Sequence, residues 1–390
     1  MTIIITLCSL LLIAYVFDIS SVFTKIPSVF LLILLGWLVR QSIPFFDINI
    51  PDLNSLLPLL GTIGLILIVL ESALELELNK SKFPIIKKSF LLALIPMIVL
   101  SIIIASLFHF LGDVSLKNSL VNAIPFCVIS SAIAIPSVSN LSSNDKEFII
   151  YESSLSDIFG VLFFNFVSLN DTITASSFLN FSWQILLIIF ISFISVLCLS
   201  FLLSRIKHHV TYTPIILLVI LIYLLSKIYH LPGLIFILVF GLFLGNLDEI
   251  KHYKWMEKFR PTKLDKEVSK FREISFETSF LIRTLFFILF GFLMNMNEIL
   301  DTQTLPWAMA IVFAIVFVRW FALKLSKLSI YPLLYVAPRG LITILLFLSI
   351  LPSQNVNFIN KSMVIQVVLL SVLVMMFGLI SNKKQVITID

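Results

Sequence analysis

Thirteen runs of apolar residues, most of them long enough for a helix to cross a bilayer, divide this chain, and none shows the period-two alternation of a half-buried strand. They lie near 3–17, 27–39, 56–77, 90–111, 119–140, 147–169, 181–204, 211–228, 231–246, 277–297, 305–323, 331–351 and 362–380. In lipid every backbone N–H and C=O must find a partner within the chain, so a spanning segment is a helix or part of a closed barrel. Unalternating runs exclude the barrel. With 59% hydrophobic residues, 37 Phe and only 13% charge, little of the chain is left to build a soluble domain. The expected fold class is an all-α polytopic membrane protein of about 13 transmembrane helices.

A net charge of +5 would point to nucleic acid in a soluble protein, but here the positions of the cations matter more than their sum. Counted loop by loop, 20 Lys and Arg fall on one set of sides, and 4 (Arg40, Lys117, Lys227, Lys361) fall on the other. The positive-inside rule then puts the C-terminus in the cytoplasm and the N-terminus outside, which requires an odd number of spans. The first run has no basic n-region, its first cation being Lys25, and no small-residue cleavage pattern, so it counts as a mature span. Cys8, Cys127 and Cys198 lie in apolar runs without metal or redox spacing and are expected to pack in the core. The basic, aromatic-interleaved segment 248–276 reads as an amphipathic helix on the cytoplasmic face near anionic lipid, tethered by spans on both sides and not a nucleic-acid binder.

Against this background the sixth run, EFIIYESSLSDIFGVLFFNFVSL, stands out, because it carries Glu152 and Asp157 inside the membrane. If it enters the bilayer after Glu147, about eleven residues at ~1.5 Å each place Asp157 some 16 Å deep, near the midplane. A charge there costs at least about 2.5 kcal/mol and by default marks an ion or proton path. Two other spans are interrupted. In the fifth, Pro125 and Pro136 bracket Ser130 and Ser131, and Pro136 deprives the Ala132 carbonyl of its helical partner. In the twelfth, Pro338, Arg339 and Gly340 follow one another about eight residues from its start. The fifth could still be a kinked but continuous helix. Two interruptions in matching positions point to an inverted-repeat transporter with discontinuous helices crossing at the site. The span offsets agree: the third and tenth begin 221 residues apart, the fourth and eleventh 215.

At 100° per residue Ser153 shares a helix face with Asp157, while Glu152 points elsewhere beside Ser156. A buried Glu needs a permanent cation, and Arg339 is the one Arg expected at mid-membrane, with Arg283 and Arg319 snorkelling to the inner boundary. Glu152 and Arg339 are therefore expected to pair. Asp157 is left to hydroxyls such as Ser130, Ser131 and Ser156 and to backbone carbonyls, oxygen ligands for a hard monovalent cation. Glu71, near the inner end of the third span, is either a snorkelling acid or one that draws cations into a cytoplasmic funnel.

The run Glu152-Ser153-Ser154-Leu155-Ser156-Asp157 with Gly160 after it resembles the GESLLND signature of the sodium/proton exchangers of the cation:proton antiporter superfamily, bacterial type. The APRGLITILL run around Arg339 is similar to the same family's xxRGxx element, and LGTIGLILIVLESALELEL resembles its third-span region. The resemblance covers most of the chain. It implies a cation- and proton-binding Asp157, a coordinating Ser153, a structural Glu152–Arg339 pair and a homodimer in a bacterial inner membrane. It also implies moving core helices at 83–169 and 305–382 against scaffold helices at 1–82 and 170–304. Two departures stand out: Ser156 replaces the family's Asn, and SSAIAIPS replaces Thr-Asp-Pro in the fifth span, closer to the related potassium-efflux branch.

The function so implied is exchange of Na⁺ (or K⁺ or Li⁺) for H⁺ by competition at Asp157, one for one and electroneutral, with no cofactor. A potassium-efflux channel-like transporter and a non-transporting receptor or partner-binding protein are the alternatives. No H-E-x-x-H or G-x-S-x-G motif suggests an enzyme.

Overall fold

The computed structural model describes residues 2–24, 26–43, 52–139, 141–170, 174–205, 212–246 and 264–381, and the described residues are helical with no strand. The elements are α1 (Thr2–Thr24), α2 (Ser28–Ser42), α3 (Leu56–Glu75), α4 (Phe83–Gly112), α5 (Leu116–Ala123), α6 (Ser131–Ser137), α7 (Ser143–Leu169) and α8 (Ala175–Arg205). They continue as α9 (Tyr212–Ile228), α10 (Gly233–Gly245), α11 (Leu264–Phe292), α12 (Leu305–Leu325), α13 (Leu341–Leu348) and α14 (Lys361–Ser381), with a one-turn helix at Met296–Ile299. Each of the thirteen apolar runs overlaps one of these elements, except that the fifth is a broken pair and the twelfth is helical only in its second half. Seven helices among the described residues are long and apolar enough to cross a membrane, counting Leu116–Ser137 as one; α7, with its acids, is not among them.

Both interruptions are breaks in the helix. The fifth span runs as α5, a 3-10 turn over Ile124–Cys127, extended Val128 and Ser130, and then α6. The break falls at 128–130, between the two prolines, and Pro136 itself sits inside α6 with only a short helix to disturb. The twelfth span is irregular from 327 to 340 and becomes helical only at α13. The two non-helical stretches touch: the Ser130 N–H donates to the Pro338 carbonyl at 2.9 Å. A Cβ on Gly340 would lie 3.0 Å from Ser130 Oγ and 2.4 Å from Ile133, so this position takes glycine for closeness.

The chain divides into two compact units, residues 1–61, 88–168 and 283–390 in the first, 62–87 and 169–282 in the second. In the first, α2 meets the last turns of α11 backbone to backbone. A Cβ on Gly36 would stand 2.0 Å from the Ile288 carbonyl oxygen, and one on Gly291 2.1 Å from that of Ile33. Without water to drive apolar faces together in lipid, such small-residue contacts are how spans pack. In the second unit α8, α9 and α10 pack on one another. Asn246 closes the end of α3, donating to the Leu76 carbonyl at 2.7 Å and accepting from the Leu78 N–H at 2.5 Å.

Three expectations change. Residues 264–276 are the first turns of the single long helix α11 instead of a separate interfacial helix, while 248–263 lie outside the described residues. Cys8 and Cys198 are exposed on outward faces and only Cys127 is buried, because a span surrounded by lipid has two apolar sides. Arg319 does not snorkel: it is 6% exposed, turned inward toward an acid.

Candidate cation-binding site at the helix break

α7 starts on Ser142, whose Oγ accepts from the Asp145 N–H at 3.3 Å and donates to the Asp145 carboxylate at 2.7 Å, a side-chain closure that satisfies its first turn. From there the helix runs without interruption past Glu152 and Asp157, each 1% exposed. Gly160, one turn beyond Asp157, lets the break of the fifth span come close: a Cβ there would be 2.3 Å from a Val128 methyl.

Asp157 therefore faces the first residues of α6. Its Oδ2 accepts from the Ser131 N–H at 3.3 Å and from the Ser131 hydroxyl. Its Oδ1 is buried and has no hydrogen-bond partner, and the same is true of Ser130 Oγ, next in the chain to Ser131. Ser153, on the Asp157 face of α7, donates to the Ile149 carbonyl at 2.7 Å and keeps its lone pairs. Ser156 accepts from the Ile129 N–H at 2.9 Å, so it holds the extended segment of the break in place. The fold thus brings Ser131 to Asp157, leaves Ser130 next to it in the chain with an unpartnered hydroxyl, and gives Ser156 a scaffolding bond.

Two hydroxyls went unremarked in the sequence. Ser154 lies three residues before Asp157, on the same side of the helix, and its buried Oγ has no partner; i, i+3 spacing would have found it. Thr343 Oγ1, in the first turn of α13, is likewise buried without a partner, and only its polarity in an apolar run marked it.

The expected pairing of Glu152 with Arg339 does not occur. Arg319 of α12 takes Glu152 in a two-pronged contact, Nη1 to Oε1 and Nη2 to Oε2, both 2.9 Å, while its Nε donates to the Leu333 carbonyl at 2.7 Å. Arg339 serves the breaks instead. Its Nε donates to the Phe126 carbonyl at 2.6 Å and its Nη1 to that of Ala337 at 3.1 Å; its backbone N–H goes to Ser371 Oγ at 2.9 Å. The physical reason is the break itself. In a continuous helix the Phe126 carbonyl would accept from the N–H of residue 130, but Ser130 donates to Pro338, and the stranded carbonyl needs another donor. A cavity of about 20 Å³, room for one water, lies among Glu152, Ser156, Cys127, Arg319 and Arg339. Glu71 belongs to the second unit, where it is half-buried with the Ser279 hydroxyl donating to it at 2.5 Å.

No group of three or more His, Cys, Asp or Glu that could hold a metal ion occurs among the described residues. A cation at Asp157 would meet one carboxylate, several hydroxyls and backbone carbonyls. That set is too weakly charged for a divalent or transition metal and suits an alkali ion.

The family model described as sodium/hydrogen exchanger, transmembrane, matches residues 7–381. Among solved structures, that of the sodium proton antiporter MjNhaP1 from Methanocaldococcus jannaschii at pH 8 is similar at a TM-score of 0.69 and 20% identity, covering 96% of this chain and 98% of that one. An electron-microscopy structure of the same antiporter is similar at 0.66 and 19%, with 97% and 94% covered. Among curated proteins none matches the sequence.

Proposed function

Because the chain belongs to the transmembrane sodium/hydrogen exchanger family, and is thus an integral membrane transporter and not an enzyme, we propose that it exchanges Na⁺ for H⁺ by competition at Asp157. The observation that carries this is the half-satisfied carboxylate: Oδ2 is held by Ser131, and Oδ1 is buried with no donor. A bare anion so placed is costly, and either a proton or an alkali ion removes the cost. Both loaded forms can then cross the barrier that holds back the empty one.

Glu152 is engaged on both oxygens by Arg319, which leaves Asp157 as the only carrier acid at this depth of α7. One acid carries one proton or one monovalent cation, so the exchange is one for one and electroneutral. Alternating access moves core helices 83–169 and 305–382 against scaffold helices 1–82 and 170–304 in a homodimer set in lipid, with the C-terminus in the cytoplasm of a bacterial cell. Glu71 draws cations to the inner mouth.

K⁺ is the second reading, favoured by the fifth-span break having hydroxyls at Ser130 and Ser131 and no carboxylate. Fluorescence dequenching in inverted vesicles with Na⁺, Li⁺ and K⁺, comparing the parent with Asp157→Asn, tests both readings. Exchange at Asp157 predicts a cation response that the variant lacks; equal responses would refute it, and the ion ranking decides between Na⁺ and K⁺. Turnover in proteoliposomes that varies with membrane potential would refute electroneutrality.

A further inference from the structure

At the end of the first unit where α5 begins and α7 finishes, a second group of buried polar side chains has no part in the break. Gln354, in a 3-10 turn after α13, accepts at Oε1 from Ser168 Oγ and donates from Nε2 to the Ser168 carbonyl, both at 2.8 Å. Its own carbonyl accepts from Asn122 Nδ2 at 2.8 Å, and Asn122 Nδ2 also donates to the Asn118 carbonyl at 2.8 Å. Turning either amide over would lose these bonds, so their orientation is fixed by the network. With both Asn122 amide hydrogens spent, what remains is an acceptor. Asn122 Oδ1 is fully buried and has no partner. One turn back on the same face of α5, Ser119 Oγ is also buried and also has none.

A buried amide oxygen facing no donor calls for a compensating positive centre. The oxygens on offer are neutral and hard: the Asn122 amide, the Ser119 hydroxyl, and the remaining lone pairs of Gln354 Oε1 and Ser168 Oγ. A divalent ion would require carboxylates, and none of these four residues carries one, whereas a monovalent alkali ion is suited to such a set. The position also matters. Ser168 is eleven residues after Asp157, about 20° past three full turns, so the two share a face of α7 roughly 16 Å apart. Between them Gly160 lies against Val128 of the broken span.

We propose that Asn122, Ser119, Gln354 and Ser168 form a second, neutral site for a monovalent cation, aligned with Asp157 and on its outer side in the orientation proposed above, where the ion rests between Asp157 and solution. The site deepens the exchange reading and takes the same ion. Having no ionisable group, it does not exchange its cation for a proton, so its occupancy is independent of pH where that of Asp157 is not.

Equilibrium binding of ²²Na⁺, and of Tl⁺ as a K⁺ surrogate, to the full-length chain in detergent at pH 8 and pH 5 separates the two sites. The expected result is two ions per chain in the parent at pH 8 and one in Asp157→Asn, with the remaining one unchanged at pH 5 and lost in Asn122→Leu. Ser119→Ala, which removes only a hydroxyl and spares the amide network, weakens that remaining site about tenfold and covers the case in which Asn122→Leu does not fold. No binding in Asp157→Asn, or binding that Ser119→Ala leaves unchanged, overturns the proposal, the first outcome meaning that the pocket holds water; exchange at Asp157 then stands. Two ions retained in Asp157→Asn would instead overturn the role of Asp157.

Discussion

Breaking the Glu152–Arg319 contact is the sharpest test of how this membrane interior is held together. Each of its two bonds is 2.9 Å long and made by a buried ionised pair, 7% exposed at Arg319 and 1% at Glu152. Charge-assisted bonds contribute about 1.5–3 kcal/mol each, and deleting one member of a buried pair costs about 3–5 kcal/mol because the other charge is left uncompensated. Arg319→Ala should therefore lower the free energy of unfolding, measured by SDS titration from detergent micelles, by about 3–5 kcal/mol. Glu152→Gln, which leaves the Nε bond to Leu333 intact, should fall at the lower end of that range. The double replacement Glu152→Leu with Arg319→Met should cost less than either single change, since two apolar side chains of similar volume leave no charge stranded. The coupling energy of Glu152 with Arg319 should be about 2–3 kcal/mol, and that of Glu152 with Arg339 much smaller. Equal or larger coupling to Arg339 would refute the assignment, as would an Arg319→Ala variant as stable as the parent.

Ser131→Ala removes the hydroxyl that meets Asp157 Oδ2 and keeps the fold; the half-saturating cation concentration in the dequenching assay should rise about tenfold, one charged hydrogen bond's worth, and no change would place the ion elsewhere. If proton and cation share one carboxylate, that same concentration should rise about tenfold per pH unit on the acid side of the profile, and a flat profile would argue for separate sites. Gly36→Val puts a side chain where a Cβ alone would be 2.0 Å from a backbone oxygen, so gel filtration should show loss of the folded protein; a monodisperse, active Gly36→Val would mean that α2 and α11 do not pack as described.

Most of the fold could be read from the chain because lipid allows so few solutions: run length located the membrane-spanning segments among the described residues, though not the N-terminal extension of α11, and the two helix breaks were visible as clusters of proline, glycine and polar residues. Within the site the reading was uneven, and each error has a cause. Depth along the sequence points to Arg339 as the partner of Glu152, because Arg319 lies within two turns of an expected boundary, close enough to water to snorkel. What decides the partner is which helix faces Glu152, a tertiary fact that one-dimensional periodicity does not carry. The break falls at 128–130, inside the stretch that Pro125 and Pro136 bracket, but the prolines do not say where within it, because that depends on the crossing backbone that offers Ser130 a carbonyl of another segment. Ser156 illustrates the same limit: its place one turn after Glu152 was legible, but not that its oxygen would hold the Ile129 N–H.

With Glu152 withdrawn, the two remaining charges find their counterparts in the ends of the broken helix. α5 and its 3-10 extension end near Phe126, where stranded carbonyls form the negative pole of a half-helix, and Arg339 donates there. α6 begins at Ser131, where free N–H groups form a positive pole, and Asp157 accepts there. A continuous fifth span would offer neither pole at this depth, and both charges would need side-chain partners. Arg339 has its Nε and Nη1 occupied by carbonyls, so it does not have to neutralise Asp157 as a permanent counter-ion would. Asp157 is left with one oxygen held and one bare, the state that the proposed exchange of a proton for a cation requires. A guanidinium placed directly on Asp157 would satisfy both oxygens, as Arg319 does for Glu152, and leave nothing to exchange.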